Sequence, residues 1–401
     1  MRWIALASLL ACGWCWILPT LYACTFCSGA LRNRQTLREQ YHDAAVVLLG
    51  VLKQPRLNSN GIGGTTEFHI RQRLKCPAAQ QLPDVMILPR YLPSTSDPSS
   101  PTAEFLIFGT WTDGKFDLIS GMSATPTLVE YLRAAVAIPG HDRVRQLAYA
   151  FRMLDSTDPA VAADAFLTLG KASDTELVEA RSVFEPQRLR RWLRDPQTPE
   201  ERIGVLAMLL GLHRHPDDAA VFTALLSESP RPERISSNLG GILAGYLLVH
   251  PEAGWRTIEQ LLAEGTVPFN ERLAAIGTLR FMQATRGDDA RPAILRCYRT
   301  LIRQGELADL AIEDLRQWGW WDLTADVLSI PRTVANPPPI LRRGVVRYAL
   351  SCPQPEARQY LTRLRQTDPQ LLASVEESLA IYETIRTAPR NQQRPATTPP
   401  P

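Results

Sequence analysis

Polar and apolar positions divide the chain into stretches of different period. Trp3 to Ala23 is uncharged and apolar behind one basic residue, Arg2, the layout of a secretory leader. A polar connector, Gln35 to Tyr41, has helix potential. Ala44 to Leu52 is then a continuous apolar run, as in a strand covered on both faces. Thr66, Phe68, Ile70 and Leu74 alternate with Glu67, His69, Arg71 and Arg73, which predicts a half-buried strand. The glycines of Asn58 to Gly64 predict the turn between these two. Asp84 to Tyr91 reads as a third strand and Pro93 to Thr102 as a surface loop. Glu104 to Trp111 and Lys115 to Ser120 form a hairpin across Asp113-Gly114. Five short strands with Gly and Pro loops predict a small OB-type β-barrel over residues 24–125.

From Thr127 onward the period is helical. Asp158-Pro159 opens a helix bearing Val161, Ala162, Ala165, Phe166 and Leu169. Thr198-Pro199-Glu200-Glu201 reads as a capping box with Pro at the first helical position, followed by Ile203, Leu206, Ala207 and Leu210 on one face. Asp368-Pro369 opens another helix with Leu372, Val375 and Leu379. Pro159 leads to Leu169-Gly170 as Pro199 leads to Leu210-Gly211, an offset of about 40 residues, within the period of HEAT and armadillo units. Asp158 to Gly170 and Arg343 to Leu379 in particular resemble HEAT repeats. That resemblance implies antiparallel helix pairs stacked as an α-solenoid, about six units over residues 126–386. Trp318-Gly319-Trp320-Trp321 and Pro337-Pro338-Pro339 interrupt the pattern. The Pro-, Gln- and Thr-rich stretch 387–401 is expected to be disordered. The expected fold is thus mostly α, a HEAT-like solenoid preceded by a small five-stranded barrel, with residues 1–23 as signal peptide.

Composition narrows the partners. The chain has 401 residues, 45% hydrophobic and 21% charged, with a net charge of +3 and interspersed signs. It can bury large cores, and no strong field selects nucleic acid or an anionic surface. Forty of the 44 basic residues are Arg.

Three fates compete for the leader: cleavage after Ala23, lipoprotein processing of Leu21-Tyr22-Ala23-Cys24 with a thioether on Cys24, and retention as an anchor. All three export the remainder to the periplasm, cell envelope or extracellular space. Contact with membrane then runs only through the leader or a lipid on Cys24. Beyond the leader lie Cys24, Cys27, Cys76, Cys297 and Cys352. Five thiols in an oxidising compartment leave one free, intermolecular or modified. Lipidation of Cys24 would leave four and permit the bridges Cys27–Cys76 and Cys297–Cys352; buried thiols in the helical region are an equally ordinary reading.

Thr66-Glu67-Phe68-His69-Ile70, Val85-Met86-Ile87-Leu88-Pro89 and Glu104-Phe105-Leu106-Ile107-Phe108-Gly109 with Asp113-Gly114-Lys115 together resemble the netrin-like domain. That is the OB barrel of the tissue inhibitors of metalloproteinases, whose mature chains also begin with Cys. The resemblance covers about a quarter of the chain and implies one bridge to Cys76, from Cys24 or Cys27. The inhibitors begin Cys-x-Cys where this chain has Cys-x-x-Cys, and Leu118-Ile119-Ser120 stand where a further Cys is expected. The whole chain resembles exported bacterial proteins that join an N-terminal Cys motif to helical repeats.

Other constellations reduce to structural roles. A redox reading of Cys24-x-x-Cys27 needs a helix start in a thioredoxin-like context, and a barrel follows instead. A zinc site from Cys24, Cys27, Cys76 and His69 has suitable ligand types but needs reduced thiols. Gly61-Ile62-Gly63-Gly64 joins two strands and opens no helix, so it is turn chemistry. His213-Arg214-His215 lies at a turn before Pro216. Arg188 to Arg194 is a basic stripe read as a solvated helix face, and Trp318, Trp320 and Trp321 as packing at a repeat junction. No catalytic motif stands out, and no cofactor or metal is expected. The leading expectation is an exported, non-enzymatic protein-binding or scaffold protein. A thiol–disulfide protein using Cys24 and Cys27, or a metalloproteinase-inhibitor-like barrel, are the alternatives.

Overall fold

The computed structural model describes residues 24–26, 33–77, 82–92, 103–112, 115–227, 230–334 and 336–387. The leader, Cys27, the loop 93–102, Asp113-Gly114 and most of the C-terminal tail, 388–401, lie outside them. The protein is mostly helical, 62%, with one N-terminal antiparallel sheet.

Helix α1 (Leu37–Asp43) starts on a capping box: Glu39 N–H donates to the Thr36 hydroxyl at 3.1 Å, and Thr36 N–H to Glu39 at 2.8 Å. Strands β1 (Val46–Leu57), β2 (Gly64–Lys75), β3 (Val85–Leu88), β4 (Glu104–Thr112) and β5 (Lys115–Ala124) form a sheet of order β3-β2-β1-β4-β5. Between β1 and β2, Asn58 N–H donates to Gly63 O at 3.2 Å and Gly61 N–H to Asn58 O at 2.9 Å. Gly61 and Gly63 take φ of 73° and 69°, so this glycine cluster is a turn. Central β1 is buried on both faces. Val47 meets Leu106, Phe108 and the helices, while Val46 and Leu48 meet Phe68, Met86, Leu88, Ile107 and Leu118.

The expected barrel does not close. Met86 and Leu88 of β3 share one apolar cluster with Leu118 of β5, but no ladder joins these edge strands. The expected strand from Asp84 to Tyr91 keeps only its first half. Beyond Leu88, the Thr66 hydroxyl donates to Arg90 O and accepts from Leu92 N–H, both at 2.9 Å. A β2 side chain thus holds the segment beyond β3 where the β2–β3 ladder ends.

Thr125 caps α2 (Pro126–Ala137), and α3 (Arg143–Met153) follows. Asp158 accepts from the N–H groups of Ala160 and Val161 and so caps α4 (Pro159–Gly170), as expected. Its other oxygen accepts from the Thr125 hydroxyl, which ties the starts of α2 and α4. Next come α5 (Asp174–Glu179), α6 (Pro186–Arg194) and α7 (Ile203–Gly211). The Thr198 capping box is not formed. A 3₁₀ turn, Glu200–Arg202, precedes α7, and the Thr198 hydroxyl donates instead to Trp192 O at 2.7 Å. The chain continues through α8 (Ala219–Leu226), α9 (Glu233–Ser236), α10 (Leu239–Val249), α11 (Pro251–Ala263), α12 (Phe269–Arg286) and α13 (Arg291–Gln304). It ends with α14 (Ala308–Trp318), α15 (Thr324–Thr333), α16 (Pro339–Ser351), α17 (Pro355–Thr367) and α18 (Pro369–Thr387). Proline opens many of these helices, where its missing N–H costs nothing.

Alternate helices pack as two layers. One holds α7, α10 and α12, then α14, α16 and α18; the other holds α11, α13, α15 and α17. Arg280–Asp314 at 2.8 Å links α12 to the middle of α14, and Arg272–Glu306 at 2.5 Å links it to the turn before α14. The tightest contact is between α7 and α10. A Cβ at Gly241 would overlap the Gly204 carbonyl, and one at Gly211 would overlap Gly245. Gly204 N–H donates to the buried Asn238 side chain at 2.9 Å.

Because backbone, not a flexible side chain, opposes a methyl here, Gly241→Ala should destabilise the protein by about 3 kcal/mol. Gly265, with open space around its Cβ position, should tolerate Ala within about 0.5 kcal/mol. Urea unfolding of both variants checks the contrast.

Candidate functional site: a peptide seat on the helical stack

Residues 24–26 lie in the helical region, not on a barrel rim. Cys24 is fully buried within the helical core. Thr25 N–H donates to Asp174 Oδ1 at 3.0 Å, and its hydroxyl donates to Oδ2 of the same carboxylate. Phe26 packs on Phe281 with ring centroids 5.3 Å apart. Small residues make the room: a Cβ at Gly240 would lie 3.2 Å from the Phe26 ring, and one at Gly277 3.8 Å from Thr25 Cγ2. The seat is therefore built by α5, α10 and α12.

Each part is positioned locally. Asp174 is the first residue of α5, where the helix dipole favours a carboxylate, and the Ser173–Glu176 capping box holds that turn. Glu176 also accepts from Arg143 Nε at 2.8 Å. On the far wall, the Thr278 hydroxyl donates to Gly240 O at 2.9 Å, fixing α12 against α10. A carboxylate that accepts a backbone N–H and a hydroxyl, beside an aromatic socket, can hold a short turn of chain through its main chain and one ring.

Ala23 and Cys27 lie outside the described residues, so the Cys27–Cys76 pairing does too. Cys24 and Cys76 are not joined: the first belongs to the helical core and the second packs on the sheet cluster. His69 bonds Glu67 at 3.0 Å, and among the described residues no three side chains converge as a metal site. Cys297 and Cys352 are separate buried thiols, not a bridge. Burial, helped by Glu259, pushes the Cys297 thiol up to about 12, which makes it a poor nucleophile.

The basic stripe is solvated only in part: Arg191 and Arg194 are exposed, whereas Arg188 and Arg190 are half-buried and paired. Arg188 stacks over Phe151 and Trp192 and pairs with Asp155 at 2.9 Å. Trp192 Nε1–H donates to Asp155 at 2.6 Å, and Arg190 grips Asp218 at 2.6 and 3.0 Å. The tryptophans pack as expected: Trp318 stacks on Tyr298 and meets Trp320 edge-on, and Trp321 meets Tyr348. Asp174, Gly240, Gly277 and Phe281 escaped the sequence reading. Only the Ser173-x-x-Glu176 pattern hints that a helix starts at Asp174.

Asp174→Asn keeps the capping box but weakens a charge-assisted bond, so exchange of the Thr25 amide should quicken by about tenfold, on a loss of roughly 1.4 kcal/mol. Hydrogen exchange read by mass spectrometry on the N-terminal peptide tests this; unchanged exchange contradicts the seat. A second expectation concerns acid. Partial burial opposes the Glu176 charge, but hydrogen bonds from Arg143 and Ser173 outweigh it and hold its carboxyl below the usual value. Its stabilisation is therefore present above the unfolded-chain value and lost as pH falls through the lower folded value. Glu176→Gln should flatten the acid limb of the stability–pH curve there.

Comparison of the chain with protein-family models, curated proteins and solved structures yields no match.

Proposed function

We propose that this is an exported, non-enzymatic protein-binding or scaffold protein of the cell envelope, presenting a HEAT-like solenoid to a protein partner. The observation that carries the reading is the seat of Cys24 to Phe26: the stack holds this short turn of the chain by main-chain and aromatic contacts. The repeat character is supported by cross-helix ties at recurring separations. Arg188–Asp155 and Arg143–Glu176 are 33 residues apart, Gly204–Asn238, Arg272–Glu306 and Arg280–Asp314 are 34, and Arg231–Glu271 is 40. Ties of this kind between neighbouring units are how solenoid repeats stabilise one another. Export is supported by the apolar stretch Trp3 to Ala23.

The burial of Cys24 weighs against protease inhibition through its amino group and carbonyl, which needs that residue at an open surface. It weighs equally against redox turnover at its thiol. The starts of α12 and α16 supply candidate contact points, since Phe269, Leu273 and Ile340 are exposed. A photo-crosslinking residue at Leu273 or Ile340, used in the native envelope, should yield one common heavier adduct, and one at Arg256 should yield none. Absence of any adduct, or thiol-exchange or hydrolase turnover by the purified protein, would overturn the reading.

A further inference from the structure

The β1–β2 hairpin is longer than the sheet around it. β4 pairs with β1 only from Val46 to Val51, and β3 pairs with β2 only from Thr66 to His69. The ladder between β1 and β2 nevertheless runs on to Arg56–Thr65 and Leu57–Gly64. Lys53 to Gly63 therefore stand out as an arm, exposed at every residue except half-buried Pro55. Arg90 and Tyr91 lie against it: the Thr66 hydroxyl donates to Arg90 O at 2.9 Å, and a Cβ at Gly64 would come 3.0 Å from Tyr91 Cβ.

The arm ends in a fixed turn. Asn58 Nδ2 donates to Ile62 O at 2.9 Å, and Ile62 N–H donates to Asn60 Oδ1 at 3.0 Å. The backbone of Ile62 is thus held inside the turn while its side chain faces out, 76% exposed, the most exposed large hydrophobic residue among those described. Leu57 and Tyr91 add to this apolar tip. The charges behind it share one sign. No acid occurs between Asp43 and Glu67, and Lys53, Arg56 and Arg90 have no ion-pair partner among the described residues. Glu67 and Glu104 stand in register with Lys53 and Val51, at the base of the arm, and Glu67 bonds His69 at 3.0 Å. At about 3.3 Å per residue, Arg56 lies about 3 Å and Lys53 about 13 Å behind Leu57, roughly the range over which a charged surface is felt in physiological salt.

The arm is a poor template for a protein strand. At the bulge between Lys53 and Arg56, Gln54 takes φ of 47° and Pro55 has no N–H to give, features that block strand addition at an edge. An apolar tip held on a rigid turn, backed by cations and free of acids, instead matches a surface that is anionic outside and apolar just beneath. We propose that the β1–β2 arm docks on an anionic lipid leaflet, with Ile62 and Leu57 entering the acyl boundary and Lys53, Arg56 and Arg90 lying among the headgroups. Lys and Arg suit that depth, because their stems accept apolar surroundings while their heads stay with the phosphates. The contact needs neither the leader nor a lipid on Cys24, and it leaves the helical stack free for a protein partner.

The test sediments the full chain with phosphatidylcholine vesicles, with and without phosphatidylglycerol, and follows hydrogen exchange across residues 57–64 on the same vesicles. Phosphatidylglycerol should strengthen binding, salt should weaken it, and exchange at 57–64 should slow. Ile62→Ser should weaken the phosphatidylglycerol-dependent binding about tenfold, the loss of one buried isoleucine side chain. Lys53→Gln with Arg56→Gln should weaken it by about tenfold or more, through two charges lost at the surface. Ile381→Ser, at an exposed position of α18, should leave it unchanged. The altered side chains are all exposed, so melting temperatures should match the unaltered chain, which separates lost docking from lost folding. Sedimentation that is equal on both vesicles and unmoved by the arm variants belongs to the leader or a Cys24 lipid and overturns the proposal. No sedimentation at all, or unchanged exchange at 57–64, overturns it too.

Discussion

The approach of α7 to α10 is the contact on which the rest of the helical region depends. Gly204 and Gly211 face Gly241 and Gly245, so the two backbones touch where side chains normally keep helices 8–10 Å apart. Such a contact has little apolar side chain to bury. It relies instead on dense van der Waals packing and on satisfying every polar group it encloses. Asn238 meets that need by accepting from Gly204 N–H while donating to Arg234 O at 2.9 Å. With α10 placed so closely, its other side is open to α12, and Gly240 faces Phe26. The peptide seat is thus a consequence of helix spacing as much as of the residues that line it.

Buried carboxylates play a second organising role. Asp164 accepts from Leu37 N–H at 2.7 Å and from the Tyr131 hydroxyl at 2.8 Å, joining α1, α2 and α4 beneath the sheet. Asp314 accepts from the Tyr298 hydroxyl at 2.6 Å and from Arg280. Burial raises the carboxyl pKa at both sites, and the hydrogen bonds pull against it. The net energy of such sites is small because desolvation offsets attraction. Their effect lies in geometry: any shift of α2 against α4, or of α12 against α14, strands a buried polar group.

What was legible in the sequence was local. The apolar run in β1, the alternation in β2 and the Asp-Pro starts at 158 and 368 each depend on neighbours within a few residues, and each stands in the structure. What was not legible is set by partners far along the chain. Barrel closure needs a seam between β3 and β5, and β3 is only four residues long. The Thr198 hydroxyl had a competing acceptor in Trp192 O. Arg188 and Arg190 on α6 looked solvated because Asp155 and Asp218 lie outside any local window, 33 and 28 residues away. Thr25 and Asp174 are separated by 149 residues, and no periodicity connects them.

That last pairing alters the meaning of the Ala23–Cys24 junction. The sequence presents it as a place to be cut and lipidated, whereas the structure seats Cys24 and its two successors among α5, α10 and α12. These arrangements exclude each other at one atom. A thioether at Cys24 Sγ would bring a diacylglyceryl group into a fully buried position of a close-packed core, where even one added methylene is felt. A lipidated Cys24 must therefore leave the core, and Thr25 and Phe26, its immediate neighbours, would be drawn from Asp174 and Phe281 with it. Cleavage without lipid makes no such demand on the thiol. A lipid on Cys24 and the seating of Cys24 to Phe26 are thus mutually exclusive, and the structure shows the seated arrangement.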